Sequence, residues 1–147
     1  YGKLKGVENI SKDDESGRLI RDAFGEKVVS YILVPDSVED IRSAIFETLT
    51  SADVCIVTGG TGVAPKDVTV EAIEPLFTKK LEGFGEIFRM LSYREVGVAA
   101  ILSRATAGMI SDKVVFCLPG SAKAVKLALN IIKPLLRHLL SHAKGLA

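Results

Sequence analysis

VCIVTGGTG, running from Val54 to Gly62, joins a short continuous apolar run to a loop of three glycines and two threonines. Apolar residues in succession, Val54 to Val57, are the pattern of a strand covered on both faces. The glycines let the loop backbone approach a ligand closely, and its N–H and O–H donors can converge on phosphate oxygens. A tight turn that needs positive φ is the plainer use of the same residues. The loop matches neither GxxxxGK[ST] nor GxGxxG, which excludes an ordinary P-loop or dinucleotide-binding assignment.

Working outward, the residues upstream alternate helical and extended patterns. Leu19, Ile20, Ala23 and Phe24 share one helical face that Gly25 ends, residues 27–34 read as a strand, and Ser37 caps an amphipathic helix carrying Val38, Ile41, Ile45, Phe46 and Leu49. The polar stretch 11–17 reads as a loop. Downstream, residues 68–77 read as a helix limited by Pro75, a short helix is expected near residues 86–91, and residues 97–102 and 113–118 are strand candidates. Ser121 opens a long apolar helix that Pro134 interrupts. The pattern predicts one α/β domain over residues 1–147: three layers, a largely parallel sheet with helices on both faces. The apolar last helix and a mean hydropathy of +0.29 call for an additional buried face, against the core or another subunit.

Ligands of an open parallel sheet bind beyond the carboxyl ends of its strands, where the following helices point their N-termini. Four segments are expected on that edge: Pro35-Asp36-Ser37, Thr58-Gly59-Gly60-Thr61-Gly62, Ser103-Arg104 and Pro119-Gly120-Ser121. Asp36 and Asp67 could there share a Mg²⁺ that bridges them to nucleotide phosphates. Locally, Asp67 could equally cap a helix beginning near Val68, and Asp36 could stabilise its turn. Pro119-Gly120-Ser121 offers free N–H groups and a hydroxyl to an anion, or simply a capped helix start. Arg104, Lys66 and Lys123 rank below the glycine loop, as exposed cations usually belong to a solvated surface. The same default covers His138 and His142, which lack an HExxH context, and no GxSxG or triad pattern supports a covalent hydrolase.

Composition narrows the partners. The 147 residues carry 19 Lys and Arg against 18 Asp and Glu, a formal charge of +1, so no large field exists to grip nucleic acid or an anionic membrane. Neither a membrane-spanning run nor a signal segment is visible, and Cys55 and Cys117 sit inside apolar runs as core thiols, which together point to the cytoplasm. The absence of Gln, with Asn9 and Asn130 the only Asn residues, is a thermophile-like composition.

Six segments in order resemble the MoaB/MogA family of molybdenum cofactor biosynthesis proteins: DESG at Asp14 to Gly17, TGGTG at Thr58 to Gly62, DVT at Asp67 to Thr69, GFGE at Gly83 to Glu86, SRATAG at Ser103 to Gly108 and LPGS at Leu118 to Ser121. The runs around GFGE and LPGS are closer to the MoaB branch. The resemblance implies a MogA-like, molybdopterin-binding fold and Mg²⁺-dependent transfer of AMP from ATP to the terminal phosphate of molybdopterin, releasing pyrophosphate. Carried over by motif, Asp36 and Asp67 are the Mg²⁺ and catalytic candidates, Thr58, Gly59, Gly60, Thr61 and Gly62 with Pro119, Gly120 and Ser121 hold phosphates, and Glu86, Ser103 and Arg104 lie near the ligand. A homo-oligomer, trimer or hexamer, is implied. The alternative is a non-catalytic molybdopterin-binding or scaffold protein of the same pathway. The family carries a central apolar strand and a Ser/Arg-containing loop ahead of DESG, so a segment preceding Tyr1 is expected.

Overall fold

A strand that is apolar at successive positions has both of its faces covered, and two segments meet that condition side by side. They are Val54–Thr58 (β1) and Lys113–Leu118 (β4), paired in parallel with Thr58 opposite Leu118. The computed structural model describes residues 14–145, which add helices Glu15–Phe24 (α1), Val38–Leu49 (α2), Thr69–Ile73 (α3), Glu82–Val96 (α4) and Ala122–Ala143 (α5), and strands Lys79–Lys80 (β2) and Thr106–Ile110 (β3). The strand order is β1-β4-β3-β2. Ile56, Val114, Phe116 and Leu118 point to a core closed by Ile20 of α1, Phe84 and Phe88 of α4, and Val125, Leu129 and Ile132 of α5. Their neighbours Cys55, Val115 and Cys117 point the other way, against Ile41 and Ile45 of α2 and Ala72 and Ile73 of α3. Period-two alternation thus builds the three expected layers.

The sheet is mixed, not largely parallel as its apolar strands suggested: among the described strands only β1 and β4 pair in parallel, and β3 runs antiparallel to both β4 and β2. Residues 111 and 112 alone join β3 to β4, with Ser111 at φ 58°, and a two-residue connection can reverse a strand but cannot cross over. β3 escaped the sequence reading because Thr106, Ala107 and Gly108, which open it, are small residues without a bulky apolar run. The site of Gly108 explains one of them, since a Cβ there would lie 2.3 Å from the ring of Phe77.

Four further expectations are corrected. Residues 97–102 form a 3-10 turn in which Ala100 is buried but Ile101 and Leu102 are exposed, so this apolar run is surface and not strand. Residues 28–34 make no ladder with any described strand; Tyr31 among them is buried and donates its hydroxyl to Asp14. The expected loop at 11–17 becomes helix from Glu15, with the Asp14 carboxylate accepting the Gly17 N–H as its cap (3.0 Å), and its residues 11–13 lie outside the described residues. The last helix also runs through Pro134 unbroken. Pro134 and Asn130, whose carbonyl loses its intrahelical donor, are both exposed, so that carbonyl is open to solvent and the break costs less than it would in a buried helix. Much of the apolar face of α5 is covered by α1 and the sheet.

At the edge away from the β1 carboxyl end, Asp53 accepts from Lys113 and Lys144, each at 3.1 Å. The bonds to Lys144 and Lys113 hold its carboxyl below the ordinary value of 3.8, tying the end of α5 to the start of β4.

Phe116 is fully buried and meets the edge of Phe84 at 5.2 Å, linking the sheet to α4. Phe116→Ala should therefore cost about 3–5 kcal/mol in urea unfolding, whereas Phe46→Ala, at a ring 52% exposed, should stay within about 0.5 kcal/mol. Equal losses at the two positions would show that the layer assignment is wrong.

Candidate functional site

The parallel pairing of β1 and β4 brings the two loops that follow them together. The Gly59 N–H donates to the Leu118 carbonyl (2.8 Å) and the Thr58 hydroxyl to the Pro119 carbonyl (2.8 Å). Gly120 approaches so closely that a Cβ on it would sit 3.4 Å from the Gly59 Cα. Ser16, buried in α1, donates to the Gly120 carbonyl (2.6 Å), which places the DESG segment behind the same loop. Ser103 and Arg104 reach this edge as well, although they precede a strand instead of following one. Because β3 is antiparallel to β4, its first residue, Thr106, lies opposite Cys117, and the Arg104 N–H donates to the Thr61 carbonyl (2.9 Å).

Within the glycine loop every carbonyl from 59 to 62 is taken by the protein. The Thr69 hydroxyl donates to Gly59 O (2.8 Å) and the Thr69 N–H to Gly60 O (3.1 Å), while the Arg104 N–H takes Thr61 O. Its guanidinium takes Gly62 O through Nε (2.9 Å) and a terminal nitrogen (2.7 Å). A planar trans peptide points each N–H opposite to the preceding C=O. The N–H groups of Gly60, Thr61, Gly62 and Val63 are thereby turned away from these partners, and among the described residues none of them has a protein acceptor. Gly59 at φ 98° and Gly60 at φ 72° give the backbone the left-handed turns that leave this run of donors free. Thr61 is only 2% exposed, and its hydroxyl has no protein partner among the described residues. Unpaired donors at a half-buried loop are costly unless an acceptor or water meets them. The arrangement suits an anion.

Asp67 closes the far side of the loop. One carboxylate oxygen accepts the Ala64 N–H (3.0 Å) and its own N–H donates to Ala64 O (2.9 Å), while α3 begins without a side-chain cap. The carboxylate thus shapes the loop instead of capping the helix, and one oxygen remains for a cation. Asp36 is exposed in a turn where the Ser37 N–H donates to Pro35 O (2.7 Å), and none of the loop's hydrogen bonds involves it. Ser121 is exposed and caps α5 through the Ala124 N–H (3.2 Å). Among the described residues no three carboxylate, imidazole or thiol side chains gather as a ready metal cage.

Beside the loop lies a cleft of about 740 Å³ that includes Glu86, Ser103 and Arg104 with Glu71, Glu74, Lys80 and Arg89. Glu74 accepts from the buried Thr106 hydroxyl (2.8 Å) and pairs with Lys80 (2.9 Å). Glu71 pairs with Arg104, and that hydrogen bond holds the Glu71 carboxyl below its ordinary 4.5 and the guanidinium above its own. The sequence reading missed Glu71, Glu74 and Ser16. Glu71 lies two positions beyond the DVT segment, but nothing along the chain pairs it with a residue 33 positions away.

The probable molybdopterin binding domain, a family found in molybdenum cofactor biosynthesis, matches residues 10–138. The chain is 48% identical to a molybdopterin adenylyltransferase of Pyrococcus furiosus, covering 95% of this chain and 86% of that protein. It is 47% identical to the molybdenum cofactor biosynthesis protein B of Staphylococcus aureus, over 94% of this chain and 76% of that one. The tungsten cofactor synthesizing protein MoaB of Pyrococcus furiosus superposes with a TM-score of 0.84 at 48% identity, covering 90% and 86% of the two chains.

A Cβ at Gly60 would lie 2.2 Å from the Thr69 hydroxyl, whereas one at Gly59 meets nothing within 4 Å. Gly60→Val should therefore break the bond from Thr69 to Gly59 O, disorder the donor run and weaken affinity for a phosphate-bearing ligand, with ATP as the probe, by roughly tenfold or more, at a stability cost of about 1–3 kcal/mol. Gly59→Ala carries only the backbone strain. Calorimetric titration and thermal unfolding of both variants separate the two effects; unchanged ATP affinity in folded Gly60→Val would remove the loop from the site.

Proposed function

The chain belongs to the molybdopterin-binding domain family of molybdenum cofactor biosynthesis, and from that membership we propose that it is a molybdopterin adenylyltransferase, transferring AMP from ATP to the terminal phosphate of molybdopterin and releasing pyrophosphate. The observation that carries this reading is the glycine loop, whose four carbonyls are engaged by the protein while four amide N–H groups have no protein acceptor. Phosphate oxygens are the acceptors that such a loop fits. The adjoining residues Pro119, Gly120 and Ser121 extend the same phosphate-binding edge, and Glu86 and Ser103 line the cleft beside it. The whole of residues 1–147 works as one such domain in this reading.

In the reaction a phosphate oxygen of molybdopterin attacks the α-phosphorus of ATP and pyrophosphate leaves. No side-chain nucleophile is needed. Alignment of the two phosphates and stabilisation of charge on the transferring group supply the catalysis, and the loop amides are preorganised for that task. Mg²⁺, when bound, supplies charge neutralisation on the phosphates. The available oxygen of Asp67 fits such a hard cation, which keeps several waters and takes few protein ligands beside substrate phosphates. Asp36 is the second candidate ligand.

We further propose a homo-oligomer, trimer or hexamer, in the cytoplasm. On α4 and the following turn, Ile87, Met90, Tyr93, Val98, Ile101 and Leu102 are each about half exposed or more, apolar side chains that a second copy of the chain could cover. Among the described residues no helix is long and apolar enough to cross a membrane.

Two measurements test the reading. With ATP, Mg²⁺ and molybdopterin, the protein should form adenylylated molybdopterin and pyrophosphate, and Asp67→Asn should lose roughly 100-fold or more of turnover while still binding the pterin. Pterin binding without product in the wild type would replace the enzyme by a binding protein. Light scattering should give a mass of at least three chains at micromolar concentration, and Met90→Lys should lower it; a monomeric wild type refutes the oligomer.

A further inference from the structure

Arg104 stands where a phosphate-binding cation is expected, yet its hydrogen bonds are already committed. Its Nε and one terminal nitrogen both donate to Gly62 O, that same nitrogen also donates to Asp67 O (3.2 Å) and to one Glu71 oxygen (3.2 Å), and the other terminal nitrogen donates to the second Glu71 oxygen. A guanidinium has five N–H donors in a fixed plane, and four are spent on these acceptors, leaving one on the terminal nitrogen that meets only Glu71. Its charge is also met by the Glu71 carboxylate. A two-pronged grip on a ligand phosphate would take the guanidinium from Glu71 or from the loop.

The contacts fall on both ends of one segment. The Gly62 carbonyl belongs to the peptide whose N–H, on Val63, closes the run of free amides, and Asp67 carries the carboxylate that holds the segment's turn. One rigid plane, anchored by Glu71 on α3, therefore sets the distance between the amide donors and Asp67. The Arg104 main chain adds a third tie at Thr61 O. We propose that Glu71 and Arg104 form a latch that holds the glycine loop in its ligand-ready shape, Arg104 being a positioning residue instead of a phosphate ligand. The proposal rests on the adenylyltransferase reading for its effect on turnover, but not for its effect on the loop.

Lysine at 104 keeps the charge and loses the fork, and glutamine at 71 keeps the shape and loses the charge. We would compare Arg104→Lys, Glu71→Gln and the double variant by kcat and KM for ATP, by thermal unfolding, and by hydrogen exchange at the amides of Asp67, Thr69 and Arg104, which donate to loop carbonyls. Each single variant should exchange roughly tenfold or more faster at these amides while the amides of β4 are unaffected. Turnover should fall roughly 10–100-fold with KM for ATP within about threefold, and the double variant should be no worse than the more damaged single one. A raised KM for ATP in Arg104→Lys at unchanged kcat would make Arg104 a phosphate ligand and overturn the latch. Turnover losses that merely follow a lowered unfolding midpoint, additive effects in the double variant, or unchanged exchange would each overturn it too. If the wild type forms no adenylylated product, the enzymatic reading fails by itself and the exchange data still decide the latch.

Discussion

Peptide planarity couples the direction of each carbonyl to that of the next amide, and in the glycine loop this coupling is what the site depends on. Gly59, Gly60, Thr61 and Gly62 all turn their oxygens to protein donors, so the N–H groups that follow them turn away together. Two residues outside the loop supply all of these donors: Thr69 through its hydroxyl and N–H, and Arg104 through its guanidinium and N–H. The glycines make the conformation accessible; Thr69 and Arg104 make it the occupied one.

Those two residues come from different parts of the sheet, and the packing of the sheet decides where they arrive. Thr69 begins α3, which lies on one face against Val115 and Cys117, whereas Arg104 leads into β3, next to β4. β4 therefore sets the register of the whole edge: its parallel partner delivers the glycine loop, its own end delivers Pro119 to Ser121, and its antiparallel partner delivers Ser103 and Arg104. A slip of one residue in either ladder would also reverse the faces of Phe116 and Cys117, which the two apolar cores do not tolerate. The energetics of the core and the geometry of the site are in this sense one constraint.

With a formal charge of only +1, the molecule attracts anions by local geometry and not by a general field. Charges near the loop are largely paired, Arg104 with Glu71 and Lys80 with Glu74. The Glu71 contribution follows from its depressed carboxyl: the ion pair is intact above the ordinary glutamate value of 4.5 and is lost as pH falls through the lower folded value. Both groups are substantially exposed, so the pair adds little to global stability. Its importance is directional.

The sequence by itself determined the α/β class, the strands at Val54–Thr58 and Lys113–Leu118, the helices that flank them, and the family whose loop motifs run from DESG to LPGS. These were legible because apolar periodicity and glycine spacing are local properties of a chain. Sequence reasoning also brought Ser103 and Arg104 to the right edge, though by supposing a strand at residues 97–102 where the chain makes a 3-10 turn. Only the tertiary structure decided that β3 is a strand, that the sheet is mixed, and that Asp67 braces the loop turn. It alone paired Glu71 with Arg104. Small residues such as Thr106, Ala107 and Gly108 of β3 acquire strand character from their neighbours, and a hydrogen bond across 33 positions leaves no periodic trace, because its partners are selected by the packing of whole elements and not by the residues beside them.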